Sequence, residues 1–333
     1  MRTQQLLEKN TWPSPDARFS GFSFAIGHAG HEPEMGFGGR KDANLDASPI
    51  ASDTRFDLAS ITKLYTATIA ATLHAKGEID ISAPLSSWAD VSATLGDLTS
   101  VALLTHTSGL PPTWEERDTR EGTIQALHAL VPEHTQRGTL VYSCTGYSLF
   151  AVSLEKLLGK RFDQIMGELL LDPLGLDATG YLPRLATENI AMSCEPGEGL
   201  DPGVVHDPRA RAMDGVSGNA GLFSTARDVS LFLSEVATGS AGVINDDARK
   251  VLFSPLVTAE WQQSVGFRYR DIERVGAQAQ HFSHTGFTGT MAMVDPSTGH
   301  IAVVLANRLV CGTSREQMAL TFMDFAASVL EST

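Results

Sequence analysis

The sequence predicts an α/β (α+β) fold of two lobes: an antiparallel sheet flanked by helices, with an all-helical lobe inserted into it. Three observations lead there. Strand-like text occurs at Phe22–Ile26 and Met35–Gly38 and returns after residue 204. From Leu98 to about Leu182 the text is helix and loop, with no alternating pattern of comparable length. A helical segment from Arg315 to Leu330 closes the chain. Residues 1–82 and 204–333 are therefore assigned to the lobe carrying the sheet, and residues 83–203 to the helical lobe.

Taken in order, Thr3 to Lys9 reads as a short helix, ended by the breaker cluster Asn10 to Pro15. Phe22–Ile26 and Met35–Gly38 form a hairpin around His31-Glu-Pro33. Asp57-Leu-Ala-Ser60-Ile-Thr-Lys63 is a strand end turning into a helix, with Ser60 on its first turn. That helix is apolar or small on nearly every face from Ile61 to Leu73 and stops at Gly77, so it is expected to be buried all round. Glu78 to Pro84 leaves it as an extended piece. Helices follow at Val101–His106, Thr123–Leu130, Tyr147–Leu158 and Phe162–Leu171, the last closed by Pro173-Leu-Gly175. Ser224 reads as the cap of an amphipathic helix running to Val236. Val265–Tyr269, Gln280–Thr285, Gly289–Val294 and His300–Ala306 read as an antiparallel meander, with a Pro296-Ser-Thr-Gly299 turn between the last two. The final helix can lie across that sheet.

With 333 residues, 42% hydrophobic and 19% charged, the chain has the composition of an ordinary globular protein. A net charge of −14 argues against nucleic acid or an anionic membrane as partner, since neither is attracted. A small molecule is the expected partner. Cys144, Cys194 and Cys311 are too few and too scattered for a disulfide framework, and no Cys-x-x-Cys or His-Glu-x-x-His spacing suggests zinc. His281-Phe-Ser-His284, the nearest thing to a metal pair, lies in strand-like text; neither a metal nor an organic cofactor is expected. Met1 to Lys9 has no apolar signal region, and no run of about eighteen apolar residues occurs. The chain is thus expected in the cytoplasm, with its oligomeric state open.

Ser60 and Lys63 are three residues apart and project from one helix face. A lysine among Ile61, Leu64 and Ala67 is expected to lose preference for its charged form by desolvation, placing a base beside a nucleophile. The positive end of the helix suits an oxyanion developing next to Ser60. Ser153-Leu-Glu-Lys156 repeats the spacing, but in an amphipathic segment where Lys156 points to water.

Three pieces then stand in order: Ser60-x-x-Lys63, Tyr142-Ser143-Cys144 and His284-Thr285-Gly286. They are accompanied by Leu104-Thr-His-Thr-Ser-Gly-Leu110, Val205-His-Asp207, Gly218-Asn-Ala-Gly-Leu-Phe-Ser224, Phe287-Thr-Gly-Thr290 and Asn307-Arg308. From about Phe22 to Leu330 the sequence resembles the serine β-lactamase and penicillin-binding protein superfamily, and within it the class C-like, β-lactamase-related serine hydrolases. The resemblance implies a DD-peptidase/β-lactamase-like fold with Ser60 at the junction of the lobes. It makes Ser60 the acylated nucleophile and Lys63 its base, with Tyr142 sharing the proton work; a phenol and an amine buried together can shuttle one proton. The strand edge His284-Thr285-Gly286 would bind an extended substrate. Gly286 would let the backbone approach the ligand, and the Phe287 N–H would join that of Ser60 as the oxyanion hole.

His106 is read as holding loop backbone, and His206-Asp207 as a salt-linked brace. Two positions depart from the family. Cys144 stands where relatives usually carry Asn, and a thiol is a weak donor and acceptor. Asn219 stands where histidine is frequent, which would reshape the pocket wall. The expected chemistry is hydrolysis of an ester or amide, β-lactams included, through an acyl-serine, with an esterase-like enzyme favoured over a true β-lactamase. A D-amino-acid peptidase or an acyltransferase comes next, and Cys144 keeps open a non-catalytic, ligand-binding pseudoenzyme.

Overall fold

A computed structural model describes residues 2–181, 189–259, 262–274 and 277–330. Helix α1 (Arg2–Lys9) precedes the hairpin of β1 (Gly21–His28) and β2 (Glu34–Gly39), and the two-residue β3 (Phe56–Asp57) leads through a 3-10 turn, Ala59–Ile61, into α2 (Thr62–Ala75). The helical text becomes α3 (Ser100–Leu104), α4 (Arg120–His128), α5 (Thr145–Leu158) and α6 (Phe162–Met166), the last continued by a π-helical turn over Gly167–Leu171. Strand β4 (Gly180–Tyr181), α7 (Pro208–Ala212), β5 (Leu222–Ser224), α8 (Ala226–Thr238) and α9 (Asp246–Phe253) follow. The chain ends in β6 (Val257–Thr258), β7 (Gln262–Gln263), β8 (Arg268–Arg274), β9 (Ala277–Gly286), β10 (Thr290–Val294), β11 (His300–Ala306) and α10 (Arg315–Leu330).

Eight strands form one antiparallel sheet in the order β2-β1-β11-β10-β9-β8-β7-β6. Strand β1 lies against β11 with Phe24 opposite Val304, so the two ends of the chain close the sheet together. Successive residues along each strand point to opposite faces, while partners across strands share one. Phe22, Phe24, Met291, Met293 and Val304 pack under Leu7 of α1 and under Met318, Phe322 and Phe325 of α10. Ala25, Ala292, Val303 and Leu305 join the larger core with Phe232, Leu233 and Val236 of α8. Asn307 pins the seam: its side-chain oxygen accepts the Ser20 and Gly21 N–H groups at 3.1 and 2.8 Å.

Helix α2 is buried from Thr62 to Leu73, as its uniformly apolar or small sequence requires. Its small residues let other chain come close: a Cβ on Gly266 would stand 2.5 Å from Ala67 Cβ. Strands β3, β5 and β4 form a second, three-stranded sheet, from which β3 carries the chain into the Ser60 turn.

The structure changes four details of the sequence reading. Thr225, whose hydroxyl accepts the Asp228 N–H, caps α8, while Ser224 ends β5. The strand expected at Val265–Tyr269 starts at Arg268, because Gly266 turns with φ +90° against α2. Gly180–Tyr181 is extended within text read as helix and loop, its partner β5 lying far along the chain. Two-residue strands β6 and β7 carry too little pattern to be read. No helix among the described residues is long and apolar enough to cross a membrane.

Candidate active site

Strand β3 delivers the chain to Ser60 through a tightly held turn. Asp57 accepts the Ala59 N–H on one carboxylate oxygen and the His206 N–H on the other, both at 2.8 Å, and the Leu58 N–H binds the Leu222 carbonyl. Ala59 takes φ +46°, a left-handed conformation that is uncommon outside glycine and costs on the order of 1–3 kcal/mol. Ser60 therefore sits on a 3-10 turn just before α2, and not on the α-helix's own first turn as expected.

The far side of that turn is stapled to β9 and β10. Thr288 Oγ1 donates to the Asp57 carbonyl at 2.7 Å and Thr290 Oγ1 to the Leu58 carbonyl at 3.2 Å. A Cβ on Gly286 would fall 2.1 Å from Thr290 Oγ1 and 2.5 Å from the Leu58 carbonyl oxygen. The close approach that requires glycine at 286 is thus to the Ser60 turn, where the sequence reading had placed a ligand.

At the centre, Lys63 is fully buried, and its Nζ donates to Ser60 Oγ at 3.0 Å, the Asn219 carbonyl at 2.9 Å and Cys144 Sγ at 3.5 Å. Tyr142 Oη donates to Ser60 Oγ at 2.9 Å. Ser60, Lys63, Tyr142 and Cys144, spread over 85 positions of sequence, are within one hydrogen-bonded cluster. Burial alone would push the Lys63 ammonium down. The charges that Cys144 and Tyr142 can carry and the charge of Asp207 outweigh it and hold Lys63 above the ordinary lysine value of 10.5. The neutral lysine expected from desolvation is overturned: three acceptors receive its three donors, the environment of an ammonium ion.

His106 positions Tyr142. Its Nδ1 accepts the Ser143 N–H at 3.1 Å, its carbonyl accepts the Val141 N–H, and its own backbone is left-handed at φ +63°. Its ring lies 4.6 Å from that of Tyr142. Burial, and then the charges of Lys63 and Arg268, push His106 well below the ordinary histidine value, so it braces the loop as a neutral ring. The Pro111 carbonyl accepts Ser143 Oγ and the Pro112 carbonyl the Cys144 N–H.

His284 is also buried and pushed well below the ordinary value, first by burial and then by Arg268 and Lys63; its Nδ1 lies 2.9 Å from the Thr285 carbonyl. Thr285 and Phe287 are half-buried at the end of this strand. His206 stacks on the Phe287 ring at 5.0 Å, and Arg308 and Arg315 each approach that ring at 4.5 Å. The salt-linked His206-Asp207 brace is replaced by this stack, since the Asp207 side chain instead caps α7 by accepting the Ala210 N–H.

Asn219 is the other correction. Its side chain is fully buried, and its Oδ1 accepts Ser148 Oγ and Ser217 Oγ, so it forms no wall of an open pocket and serves Lys63 through its backbone carbonyl. His281 and His284, three apart on β9, fall on opposite faces, and no group of three or more metal-binding side chains occurs among the described residues. Lys156 Nζ binds the Asp90 carbonyl at the surface, away from any nucleophile. Asp57 and Arg268 escaped the sequence reading; the guanidinium of Arg268 lies 5.0 Å from the Tyr142 ring. Asp57, two residues before the Ala59 N–H it accepts, was legible as a local turn former; Arg268, on a distant strand, was not.

The chain matches the family model described as Beta-lactamase over residues 4–321. It is 30% identical to an N-acetylmuramyl-L-alanine amidase of Bacillus subtilis (strain 168), across 77% of this chain and 68% of that protein. Its fold is similar to that of a class C beta-lactamase from Rhodobacter sphaeroides, with TM-score 0.75 and 18% identity over 98% of this chain and 97% of that one. It is equally similar to D-amino acid amidase from Ochrobactrum anthropi SV3, with TM-score 0.76 and 19% identity over 99% and 100% of the two chains. A family match over nearly the whole length, together with the amidase similarity, places the protein: it belongs to the beta-lactamase family of serine hydrolases.

Proposed function

We propose that the protein hydrolyses an ester or amide through an acyl-Ser60 intermediate, with Tyr142 as the proton acceptor and Lys63 as a fixed ammonium. The observation that carries this reading is that Ser60 Oγ lies within hydrogen-bond reach of Lys63 Nζ and Tyr142 Oη at once, at 3.0 and 2.9 Å. Because Lys63 keeps its proton, the acceptor left for the Ser60 proton is Tyr142. For this step Tyr142 first gives up its own phenolic proton to solvent; as Ser60 Oγ then bonds to the acyl carbon, its O–H bond breaks toward the Tyr142 phenolate, and the same proton passes on to the leaving oxygen or nitrogen. Water repeats the sequence to release the acid. The N–H groups of Ser60 and Phe287 are the proposed oxyanion hole, supported by the hydrogen bonds that staple the two segments carrying them. Thr285 and Gly286 would line the bound acyl chain.

An amide or peptide substrate is a second reading, supported by the similarity to the N-acetylmuramyl-L-alanine amidase. We also propose the division into lobes at residues 82/83 and 203/204, supported by the position of every described strand of the eight-stranded sheet outside residues 83–203. The test of the reaction is intact mass after incubation with a fluorophosphonate. One adduct, mapped to the peptide containing Ser60 and lost in Ser60→Ala, is expected. A folded parent enzyme that takes no label would sink the proposal.

A further inference from the structure

Two cations approach the ring of Tyr142. Lys63 Nζ lies 5.2 Å from its centroid and the guanidinium carbon of Arg268 5.0 Å, both within cation–π reach. Lys63 comes from α2. Arg268 comes from the start of β8, where it pairs with Ser283 of β9, the neighbour of His284. The His284-Thr285-Gly286 strand end itself brings no positive charge, because the His284 ring is buried and held well below its ordinary value, first by that burial. The other ring facing Tyr142, that of His106 at 4.6 Å, is neutral for the same reason. The second positive charge at the reacting centre therefore arrives from the adjacent strand.

We infer that Arg268 is a positioning residue for the proton acceptor: its guanidinium packs on the Tyr142 ring, fixes Oη toward Ser60, and compensates the negative charge of the proton-accepting form. The inference rests on the assignment of Tyr142 as that acceptor. The sequence of events is unchanged: the Ser60 O–H bond breaks, the proton moves to the Tyr142 phenolate, and the Ser60 Oγ–acyl bond forms, with Arg268 neither gaining nor losing a proton. A guanidinium stacked on a ring needs neither a bound anion nor a free donor to act in this way.

The test uses p-nitrophenyl acetate, a neutral ester with no carboxylate to recognise, and the rate of fluorophosphonate labelling. Arg268→Gln is expected to lower kcat about three- to thirtyfold, the range of a partly desolvated cation–π contact, while KM stays within about twofold. Arg268→Lys should recover most of the loss. In a Tyr142→Phe background, Arg268→Gln should change the labelling rate by less than about twofold, because the group it serves is gone. An equal loss with and without Tyr142, or a loss confined to the KM of carboxylate-bearing substrates, overturns the inference. An inactive Tyr142→Phe enzyme beside a fully active Arg268→Gln enzyme overturns it alone. A fully active Tyr142→Phe enzyme overturns the assignment of Tyr142, and this inference with it.

Discussion

Lys63 Nζ lies 2.9 Å from the backbone carbonyl oxygen of Asn219, and this bond, with those to Ser60 Oγ and Cys144 Sγ, occupies all three donors of an ammonium ion. The lysine is thereby held between Ser60 Oγ and the Gly218–Asn219 segment. Lys63→Met should lower kcat about a hundred- to a thousandfold, the usual loss when one preorganised electrostatic donor is removed. The Asn219 carbonyl, buried and unpaired, should cost about 1–3 kcal/mol of stability. Because the folded value is raised, the stabilising contribution of Lys63 is complete below 10.5 and lost as pH rises through the higher folded value. Urea midpoints at pH 8 and pH 11 should diverge more in the parent than in Lys63→Met; equal divergence would contradict an ammonium at this position.

Asp57 governs a second pH window. Burial pushes its carboxyl up to about 6, against the pull of the His206 and Ala59 N–H bonds. A value raised above 3.8 means that its contribution to stability is complete below 3.8 and is lost as pH rises through about 6. The difference is on the order of 3 kcal/mol for a fully buried group shifted by about two units. Asp57→Asn should flatten the stability profile between pH 4 and pH 6. It should also slow turnover, since one amide oxygen cannot accept both N–H groups that hold the Ser60 turn. Parallel stability profiles for parent and variant would refute the shift.

Gly286→Ala tests the staple between β9 and the Ser60 turn. The added methyl meets Thr290 Oγ1 at 2.1 Å and the Leu58 carbonyl oxygen at 2.5 Å, and backbone at that distance has to move. About 1–3 kcal/mol of stability should be lost, and kcat should fall about a hundredfold as Ser60 shifts relative to Phe287. Adding Thr290→Ala should not restore activity, because the Leu58 carbonyl remains in the way. A Gly286→Ala enzyme with parental kcat would show that this contact positions nothing.

The preference between esters and β-lactams is expected to rest on Cys144. Cys144→Asn replaces a weak sulfur partner of Lys63 with an amide that can also bind an acyl-amide group. Nitrocefin turnover should rise about two- to tenfold, the net worth of one hydrogen bond, while p-nitrophenyl acetate cleavage barely changes. Rapid nitrocefin hydrolysis by the parent would refute this account. Fast inactivation by iodoacetamide would instead mark Cys144 as a reactive thiol.

Ser153→Ala distinguishes position from spacing. Ser153 is buried in α5 and its neighbour Lys156 reaches out to Asp90, so the substitution should leave fluorophosphonate labelling and kcat within about twofold of the parent. A large loss of labelling would mean that the reactive serine had been misassigned.

The features that could be read from the chain alone were those decided by neighbours in sequence. The all-round burial of α2, the β1–β2 hairpin, the meander of β9 to β11 and the closing helix α10 each carry their periodicity within one segment. Ser60 and Lys63 share a face because helical turns put residues three apart together, whatever surrounds them. Tertiary structure decided what depends on fields and contacts between distant segments. Lys63 looked like a neutral base while only Ile61, Leu64 and Ala67 were considered; the Asn219 carbonyl, Tyr142 and Cys144, arriving from two other segments, make it an ammonium. Asn219 turns inward because Ser148 and Ser217 donate to its side-chain oxygen, Gly286 answers to Leu58 and Thr290, and Arg268 reaches Tyr142 across strands that only the sheet brings together. Desolvation can be estimated from a residue's own helix, but the charge state of a buried group is set by every dipole and charge within a few ångströms, and those come from the whole fold.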